Sequence, residues 1–105
     1  MSRIIQPFIN GRLVPSSTLP SISLLESSTN LPSHSFHPCS TIQINEAVAS
    51  AKLAQESWSN DYSPAQRGAI LRKTADILVS RTEEIAAQET LDTGRPIQET
   101  RVDIA

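Results

Sequence analysis

Apolar residues recur at three- and four-residue steps from Ser40 onward, which is the period of an α-helix with one apolar face. The pattern predicts a first long helix that ends near Trp58 and a second that begins near Ser63. The apolar stripe of the first helix comprises Ile44, Ala47, Val48, Ala51, Ala54 and Trp58. The stripe of the second helix comprises Ile70, Leu71, Ala75, Ile77 and Leu78.

Both predicted helices begin with the residues of a capping box, in which a serine and a glutamine three positions later satisfy each other's backbone N–H groups. These pairs are Ser40 with Gln43 and Ser63 with Gln66. Pro64 adds a second signal, because the first helical position needs no N–H donor. The sequence therefore places the two helix N-termini at residues 40 and 63.

Two shorter helices are predicted after the second. Arg81 places a cation near the C-terminal end of the second helix, and Glu83 and Glu84 suit the positive end of a third. The third helix is expected to end before Gly94, and its apolar positions are Ile85, Ala86 and Leu91. Pro96 is expected to open a fourth helix, which carries Ile97, Val102 and Ile104. Because this pattern stops without a cap, we expect a truncated part of a longer protein.

Residues 1–40 contain ten Ser, five of the seven Pro and only three charged side chains. Proline removes a backbone donor and biases the preceding residue toward extended backbone, so short strands and loops are expected. Asn10 and Gly11 accept the two positive φ values of a type I′ turn, which predicts a tight hairpin. Residues 22–25 are a candidate strand, whereas residues 27–33 show no period. We expect a boundary near residue 40, between a hairpin with irregular strands at 1–40 and a helical segment at 41–105.

The length and composition of the chain exclude several classes of protein. A chain of 105 residues forms one small domain at most, and its net charge of −2 offers no basic field for a nucleic acid or an anionic membrane. We find no secretion signal and no stretch that approaches the ~18 apolar residues of a membrane span. Cys39 is the single cysteine, which excludes an internal disulfide and favours a reducing, cytoplasmic location.

This sequence contains too few glycines, at the wrong spacing, for the glycine-dependent cofactor-binding motifs. Only Gly11, Gly68 and Gly94 are present, so both the G-x-G-x-x-G fingerprint and the phosphate loop are absent. The sequence therefore predicts no cofactor-binding residues.

His34, His37 and Cys39 are the candidate metal ligands, and the last two could suggest a Cys–His nucleophile pair. A strand would place His34 and Cys39 on opposite faces, and a fourth ligand is missing. Pro38 makes contact between His37 and Cys39 awkward. We predict no metal site and an ordinary thiol at Cys39.

Candidate acid–base pairs are Glu83 with Glu84 and Glu89 with Asp92. Neighbours on a helix diverge by about 100°, so the first pair does not converge, while the second shares a face. A solvated helix face is the simpler interpretation of both. Trp58 is interpreted as a core anchor, and no serine has a visible base partner. We predict no catalytic residues.

The order of motifs resembles the N-terminal end of the aldehyde dehydrogenase superfamily, with betaine-aldehyde-type members the nearest likeness. The match is strongest at the hairpin and over residues 41–105. The motifs are Phe8-Ile9-Asn10-Gly11, the Ala47-Val48 helix leading to Trp58, Ser63-Pro64-x-x-Arg67, Leu71-Arg72-Lys73-x-Ala75-Asp76 and, most specific, Glu89-Thr90-Leu91-Asp92-Thr93-Gly94-Arg95-Pro96.

The resemblance implies an α/β fold, in which this chain supplies a β-hairpin and three to four α-helices at the start of a Rossmann-like NAD(P)-binding domain. It implies an oxidoreductase that converts an aldehyde to a carboxylic acid and forms homo-oligomers. The family's cysteine nucleophile, glutamate base, oxyanion-hole asparagine and cofactor contacts all correspond to positions after Ala105. The chain alone is therefore expected to be inactive, to bind no cofactor and to self-associate or aggregate.

Two further expectations follow from the resemblance. Some members hold a monovalent cation with backbone corresponding to the Ser21 and Ile22 region and an aspartate corresponding to Asp92. The sequence departs from the family between residues 23 and 36, where a glycine turn is lost, which weakens the expectation of a following strand. The alternatives are a non-catalytic helical interaction module and a separate small enzyme or metal protein.

Overall fold

The computed structural model describes residues 3–105, and within them the chain forms five short strands and four helices. Two compact units are present: one takes in the chain up to Leu24 together with Pro32–Tyr62, and the other Leu25–Leu31 together with Ser63–Ala105. The predicted boundary near residue 40 marks the start of the first helix. The elements are β1 (Ile4–Ile5), β2 (Phe8–Ile9), β3 (Arg12–Leu13), β4 (Ile22–Leu25), β5 (Pro32–Phe36), α1 (Thr41–Asn60), α2 (Pro64–Ser80), α3 (Thr82–Thr93) and α4 (Ile97–Ile104).

The predicted hairpin is confirmed. Strands β2 and β3 pair antiparallel, with Phe8 opposite Leu13. Asn10 and Gly11 have φ values of 52° and 74°, the left-handed pair that a two-residue type I′ turn requires.

A three-stranded sheet with the order β1-β5-β4 forms from residues that the sequence pattern left partly irregular. Strand β1 runs parallel to β5, with Ile5 opposite Phe36. Strand β5 forms although the family's glycine turn is absent, because Asn30 takes a positive φ of 59° in the turn that precedes it. The Glu26 N–H donates to the Leu31 carbonyl oxygen at 2.9 Å and closes that turn. The strand that the lost glycine turn had put in doubt is therefore present.

Both predicted capping boxes are present. In α1, the Gln43 N–H donates to Ser40 Oγ at 3.2 Å and the Ser40 N–H donates to Gln43 Oε1 at 3.0 Å. In α2, the corresponding distances between Ser63 and Gln66 are 3.2 and 2.8 Å. Local signals are thus sufficient to fix where both long helices begin.

The shorter helices also follow the prediction, with one adjustment. Helix α3 has Glu83 and Glu84 in its first turn and ends at Gly94, whose φ is 75° and whose N–H donates to the Thr90 carbonyl oxygen. Pro96 is the residue before α4 rather than its first residue. Arg81 lies between α2 and α3.

Burial is concentrated in a few side chains. Among the described residues, Ala86 is the buried apolar side chain, and Ser33 and Thr100 are the buried polar ones. Helices α1 and α2 bury no side chain, and their predicted stripes are largely exposed. Trp58, expected as a core anchor, is half-buried and lies beside the Tyr62 ring, 5.7 Å between centroids. None of the described helices combines the length and apolar character that a membrane crossing requires.

Candidate functional site

The histidines near the end of β5 are held by local hydrogen bonds. The His37 ring donates from Nδ1 to the Leu19 carbonyl oxygen at 2.6 Å, and His34 Nδ1 lies 2.5 Å from Ser33 Oγ. No cluster of three His, Cys, Asp or Glu side chains suited to a metal ion is found among residues 3–105. These histidines therefore act in the fold as hydrogen-bonding residues.

The Ser33–His34 contact corrects one sequence inference, because it gives a serine a base partner that the sequence analysis did not see. Ser33 is only 5% exposed, which leaves its hydroxyl little access to a substrate. A working serine nucleophile also needs an open approach and a third group that orients the base. This contact stabilises the strand, and the arrangement lacks the geometry of a catalytic pair.

Cys39 is exposed and lies on a shallow, mainly apolar depression of about 270 Å³ beside Phe36 and Pro38. Among the hydrogen bonds of the described chain, none joins Cys39 to His37. The thiol therefore has no base positioned against it, and a Cys–His nucleophile pair is not assembled here.

The adjacent carboxylates at the start of α3 bind two different arginines. Glu83 accepts two hydrogen bonds from Arg101 of α4, at 2.8 and 2.7 Å. Glu84 accepts two from Arg81, at 3.0 and 2.6 Å. The hydrogen bonds from Arg101 lower the pKa of Glu83 below its usual value, and those to Glu84 raise the pKa of Arg81. The lowered pKa of the Glu83 carboxyl suits ion pairing and opposes a role as general acid.

The two carboxylates of the second predicted pair, Glu89 and Asp92, also bind different partners. Glu89 Oε1 lies 3.3 Å from Arg95 Nη1, whereas the Asp92 carboxylate accepts from Gln88 Nε2 at 3.2 Å. Arg95 also binds Asp103 at 2.5 Å, and this hydrogen bond is the main cause that raises its pKa. Arg95 thus links the end of α3 to α4.

The contact between α3 and α4 buries one side chain from each helix. We call it the α3–α4 junction and define it by Ala86, Thr90, Arg95 and Thr100. Thr100 is fully buried and lies against Ala86, which is also fully buried. The Thr100 hydroxyl lies 3.0 Å from the Ile97 carbonyl oxygen, 3.3 Å from that of Ala86 and 3.2 Å from Thr90 Oγ1. The junction satisfies its buried polar group fully and so fixes how the two helices meet.

Sequence reasoning missed Thr100, although a signal for it exists. Ile97, Thr100 and Ile104 are spaced three and four residues apart, so Thr100 lies on the apolar face of α4. A threonine on that face needs a hydrogen-bond partner from a neighbouring element.

The C-terminal end of α3 is bound by the turn between β4 and β5. The Ser27 N–H donates to the Leu91 carbonyl oxygen at 3.1 Å, and the Ser27 hydroxyl donates to that of Asp92 at 2.6 Å. A side chain at Gly94 would approach Ser27 Cβ to 3.1 Å, and its φ of 75° also favours glycine. The turn therefore uses two of the carbonyl groups that a helix end leaves unpaired.

The monovalent cation site stays a prediction. Its backbone part, Ser21 and Ile22, belongs to one compact unit and Asp92 to the other. The Asp92 side chain is exposed, and both its oxygens accept from Gln88.

Comparison with known proteins gives consistent matches. The sequence profile of the aldehyde dehydrogenase family matches residues 13–105. The chain is similar to a betaine aldehyde dehydrogenase of Rhizobium etli, with 41% identity over 95 residues that cover 90% of this chain and 19% of that protein. The chain spans about a fifth of the length of the curated relatives that it matches.

Solved structures show the same fold. An aldehyde dehydrogenase from Bartonella henselae superimposes with a TM-score of 0.90 at 24% identity, covering 97% of this chain and 21% of that one. PnpE in complex with nicotinamide adenine dinucleotide gives 0.84 at 32% identity, covering 91% and 20%. These matches confirm the resemblance and the α/β fold class that it implied.

Proposed function

Because this chain belongs to the aldehyde dehydrogenase family, we propose that it forms the N-terminal part of an NAD(P)-dependent oxidoreductase that converts an aldehyde to a carboxylic acid. The observation that carries the proposal is the 41% identity over 95 residues with the Rhizobium etli betaine aldehyde dehydrogenase. Betaine aldehyde is the first substrate to test, because several of the similar curated proteins carry that name.

The proposed contribution of this chain is structural. Residues 41–105 supply the helical start of the cofactor-binding domain, and residues 1–40 supply a hairpin and short strands. Covalent aldehyde oxidation needs a nucleophile with an adjacent base, and a nicotinamide cofactor needs a phosphate-binding site. Cys39 has neither a base nor a cationic partner among the described contacts, and all three glycines lie outside any cofactor motif. By this proposal the chain alone neither oxidises aldehydes nor binds NAD(P).

The cofactor and the cell compartment belong to the same proposal. PnpE and a betaine aldehyde dehydrogenase of Staphylococcus aureus were solved with NAD, which supports NAD or NADP for a full-length relative of this chain. A single unpaired cysteine and a net charge of −2 support a cytoplasmic protein without a nucleic-acid or membrane partner. We further propose that the full-length enzyme is a homo-oligomer.

A chimera tests this function directly. This chain replaces the matched N-terminal segment of the Rhizobium etli enzyme, and NAD-dependent oxidation of betaine aldehyde is measured against the parent enzyme and against the same enzyme without its N-terminal segment. We expect the chimera to regain activity that the shortened enzyme lacks. A chimera that is as inactive as the shortened enzyme would contradict the proposal.

The isolated chain provides the second arm. Purified protein is mixed with betaine aldehyde and NAD⁺ or NADP⁺, and reduced cofactor is measured against a heat-treated sample. We expect no turnover above that control. Turnover, or a monodisperse monomer with a sharp cooperative unfolding transition, would instead favour a separate enzyme or an autonomous interaction module.

A further inference from the structure

The turn between β2 and β3 places an asparagine amide next to a backbone nitrogen that has no side chain beside it. Asn10 and Gly11 are both exposed. No heavy atom outside the glycine and its two chain neighbours lies within 4 Å of the position that a Cβ at Gly11 would occupy. The Gly11 nitrogen is therefore sterically open to the side-chain carbonyl carbon of the asparagine before it.

Asn30 provides a comparison within the same chain. It also lies in an exposed turn, and its φ of 59° resembles the 52° of Asn10. The residue that follows it is Leu31, which carries a branched side chain and whose N–H donates to Thr29 Oγ1 at 3.2 Å. Among the turn and loop hydrogen bonds of the described residues, none is donated by the Gly11 N–H. The two turns therefore differ in how free the nitrogen after the asparagine is.

The hairpin offers little resistance to local opening. Strands β2 and β3 contain two residues each, and they pair only through Phe8 with Leu13 and Ile9 with Arg12. The Phe8 and Leu13 side chains are 69% and 64% exposed, so little apolar surface is buried when the strands pair. Segments with few buried contacts open at low free-energy cost. Such opening gives the Asn10 backbone the rotation that brings its side-chain carbon to the next nitrogen.

We propose that Asn10 is a modification site, at which the side-chain amide is lost by spontaneous deamidation. The Gly11 nitrogen, its proton removed by solvent base, bonds to Asn10 Cγ, and the Cγ–NH₂ bond breaks to release ammonia and leave a cyclic imide. Water then opens the ring. Cleavage of the bond between the nitrogen and Cγ gives aspartate, and cleavage of the bond between the nitrogen and the main-chain carbonyl carbon gives isoaspartate. The net reaction consumes water and releases ammonia, and it needs no other group.

The two products have different effects on the hairpin. Both replace a neutral amide with a carboxylate, so the net charge of −2 gains one further negative charge. Aspartate tolerates a positive φ, and Asp-Gly supports a type I′ turn, so the aspartate product keeps the hairpin. Isoaspartate routes the main chain through Cγ and lengthens it by one carbon atom, which disturbs the pairing of Phe8 with Leu13. Deamidation to isoaspartate thus acts as an irreversible switch that opens the hairpin.

Peptide mapping of the full chain tests the site. The purified chain is incubated in mildly alkaline buffer, and mass spectrometry with separation of aspartate from isoaspartate measures conversion at all four asparagines, Asn10, Asn30, Asn45 and Asn60. We expect conversion at Asn10 to be at least about tenfold faster than at Asn30, which corresponds to a barrier lower by about 1.4 kcal/mol. Equal rates at the two turns, or an Asn10 that stays intact, would overturn the proposal.

Gly11→Asn tests the role of the open nitrogen. Asparagine tolerates the positive φ of this position, and its Cβ would meet open space, so the turn can be kept while a side chain is added beside the nitrogen. We expect conversion at Asn10 to fall by about tenfold or more. A loosened hairpin would favour faster conversion, so slower conversion supports the proposal whether or not the turn forms. Unchanged or faster conversion would contradict it.

Asn10→Asp is the matched reference for the aspartate product. By NMR we expect this variant to keep the contact between the Phe8 and Leu13 side chains, and the purified isoaspartate form of the wild-type chain to lose it. The two proteins carry the same charge and differ only in the path of the main chain at residue 10. If the isoaspartate form keeps the contact as the variant does, deamidation does not open the hairpin and that part of the inference is wrong.

Discussion

Helices α1 and α2 are long and each begins with a capping box, whereas α3 and α4 are short and have no side-chain cap at their N-termini. The first two contain 20 and 17 residues and bury no side chain. The last two contain 12 and 8 residues, yet each has one fully buried residue, Ala86 and Thr100. Length and capping therefore do not coincide with burial in this chain.

The difference separates two sources of helix stability. Caps and propensity act within about one turn and are independent of neighbours, and each cap contributes about 1 kcal/mol. Packing needs a second element, which α3 finds in α4 within this chain. The α3–α4 junction should accordingly be sensitive to core substitutions, and α2 should be sensitive mainly to its cap.

The largest effect is expected from Ala86→Leu. Ala86 is 0% exposed between two helices, so a larger side chain forces them apart and costs up to about 3 kcal/mol. Hydrogen exchange of the α3 and α4 amides, measured residue by residue, should accelerate while α2 amides keep their rates. Ala87→Leu is the control, because Ala87 is exposed on the next position of the same helix. Equal effects of the two substitutions would remove the distinction between packed and unpacked helices.

A smaller effect is expected from Thr100→Val, which keeps the shape of the side chain and removes its hydroxyl. The Thr90 hydroxyl and the Ala86 carbonyl oxygen lose a buried partner, at a cost of about 1–2 kcal/mol. Thr100→Ser retains the hydroxyl and serves as the comparison. The thermal unfolding midpoint of α3 and α4, followed through the NMR signals of their backbone amides, should be higher for the wild type than for either variant. If the valine variant is as stable as the wild type, hydrogen bonding at the junction contributes nothing net.

The next prediction concerns α2, the helix that is capped but has no buried side chain. Ser63→Ala removes one bond of the α2 capping box and is expected to cost about 1 kcal/mol, expressed as fraying of the first turn of α2. Ser63→Asp restores an acceptor and adds a negative charge at the positive helix end, so it should recover the loss. Exchange rates of the α2 amides report the change. Faster exchange in α3 and α4 as well would indicate that the cap and the junction are coupled.

The same comparison explains what the sequence predicts and what it does not. Helix starts, the Asn10-Gly11 turn and the Gly94 end follow from interactions over a few residues, so the sequence pattern predicts them directly. Strand β5 and the role of Thr100 depend on partners far along the chain. Asn30 takes the positive φ of the turn before β5 because asparagine tolerates that backbone region as glycine does, and a pattern that looks for glycine alone misses it.

The same distinction between local interactions and interactions with distant partners applies to the candidate site. Family motifs in residues 89–96 are recognised from the sequence, but the partners of their side chains are set by the fold. Asp92 and Glu89 share a helix face, as predicted. However, Asp92 binds Gln88 and Glu89 binds Arg95, so the two carboxylates have different partners. Ser33 and His34 make the opposite point, since neighbours in sequence formed a contact that pattern reasoning did not anticipate.

The smallest effect concerns the ion pair that joins α3 to α4 at their surface. Hydrogen bonds from Arg101 hold the pKa of Glu83 below its ordinary value of about 4.3. A carboxyl with a lowered pKa in the folded state stabilises the fold above its unfolded pKa. That contribution is lost as the pH falls through the lower, folded value. The Glu83 side chain is largely exposed and that of Arg101 is partly exposed, so the effect is small and is screened by salt.

Titration of the Glu83 carboxyl by NMR measures this contribution directly. Arg101→Gln should return the pKa of Glu83 toward its ordinary value and remove the part of the acid destabilisation of α3 and α4 that Glu83 causes. Glu84→Gln is the control, because Glu84 binds Arg81 at the start of α3 and does not reach α4 through that pair. If Glu84→Gln alters the acid response of α4 as much as Arg101→Gln does, surface charge in general is responsible and the specific Glu83–Arg101 pair is not. If only Arg101→Gln does so, the specific Glu83–Arg101 ion pair reinforces the α3–α4 junction at its rim.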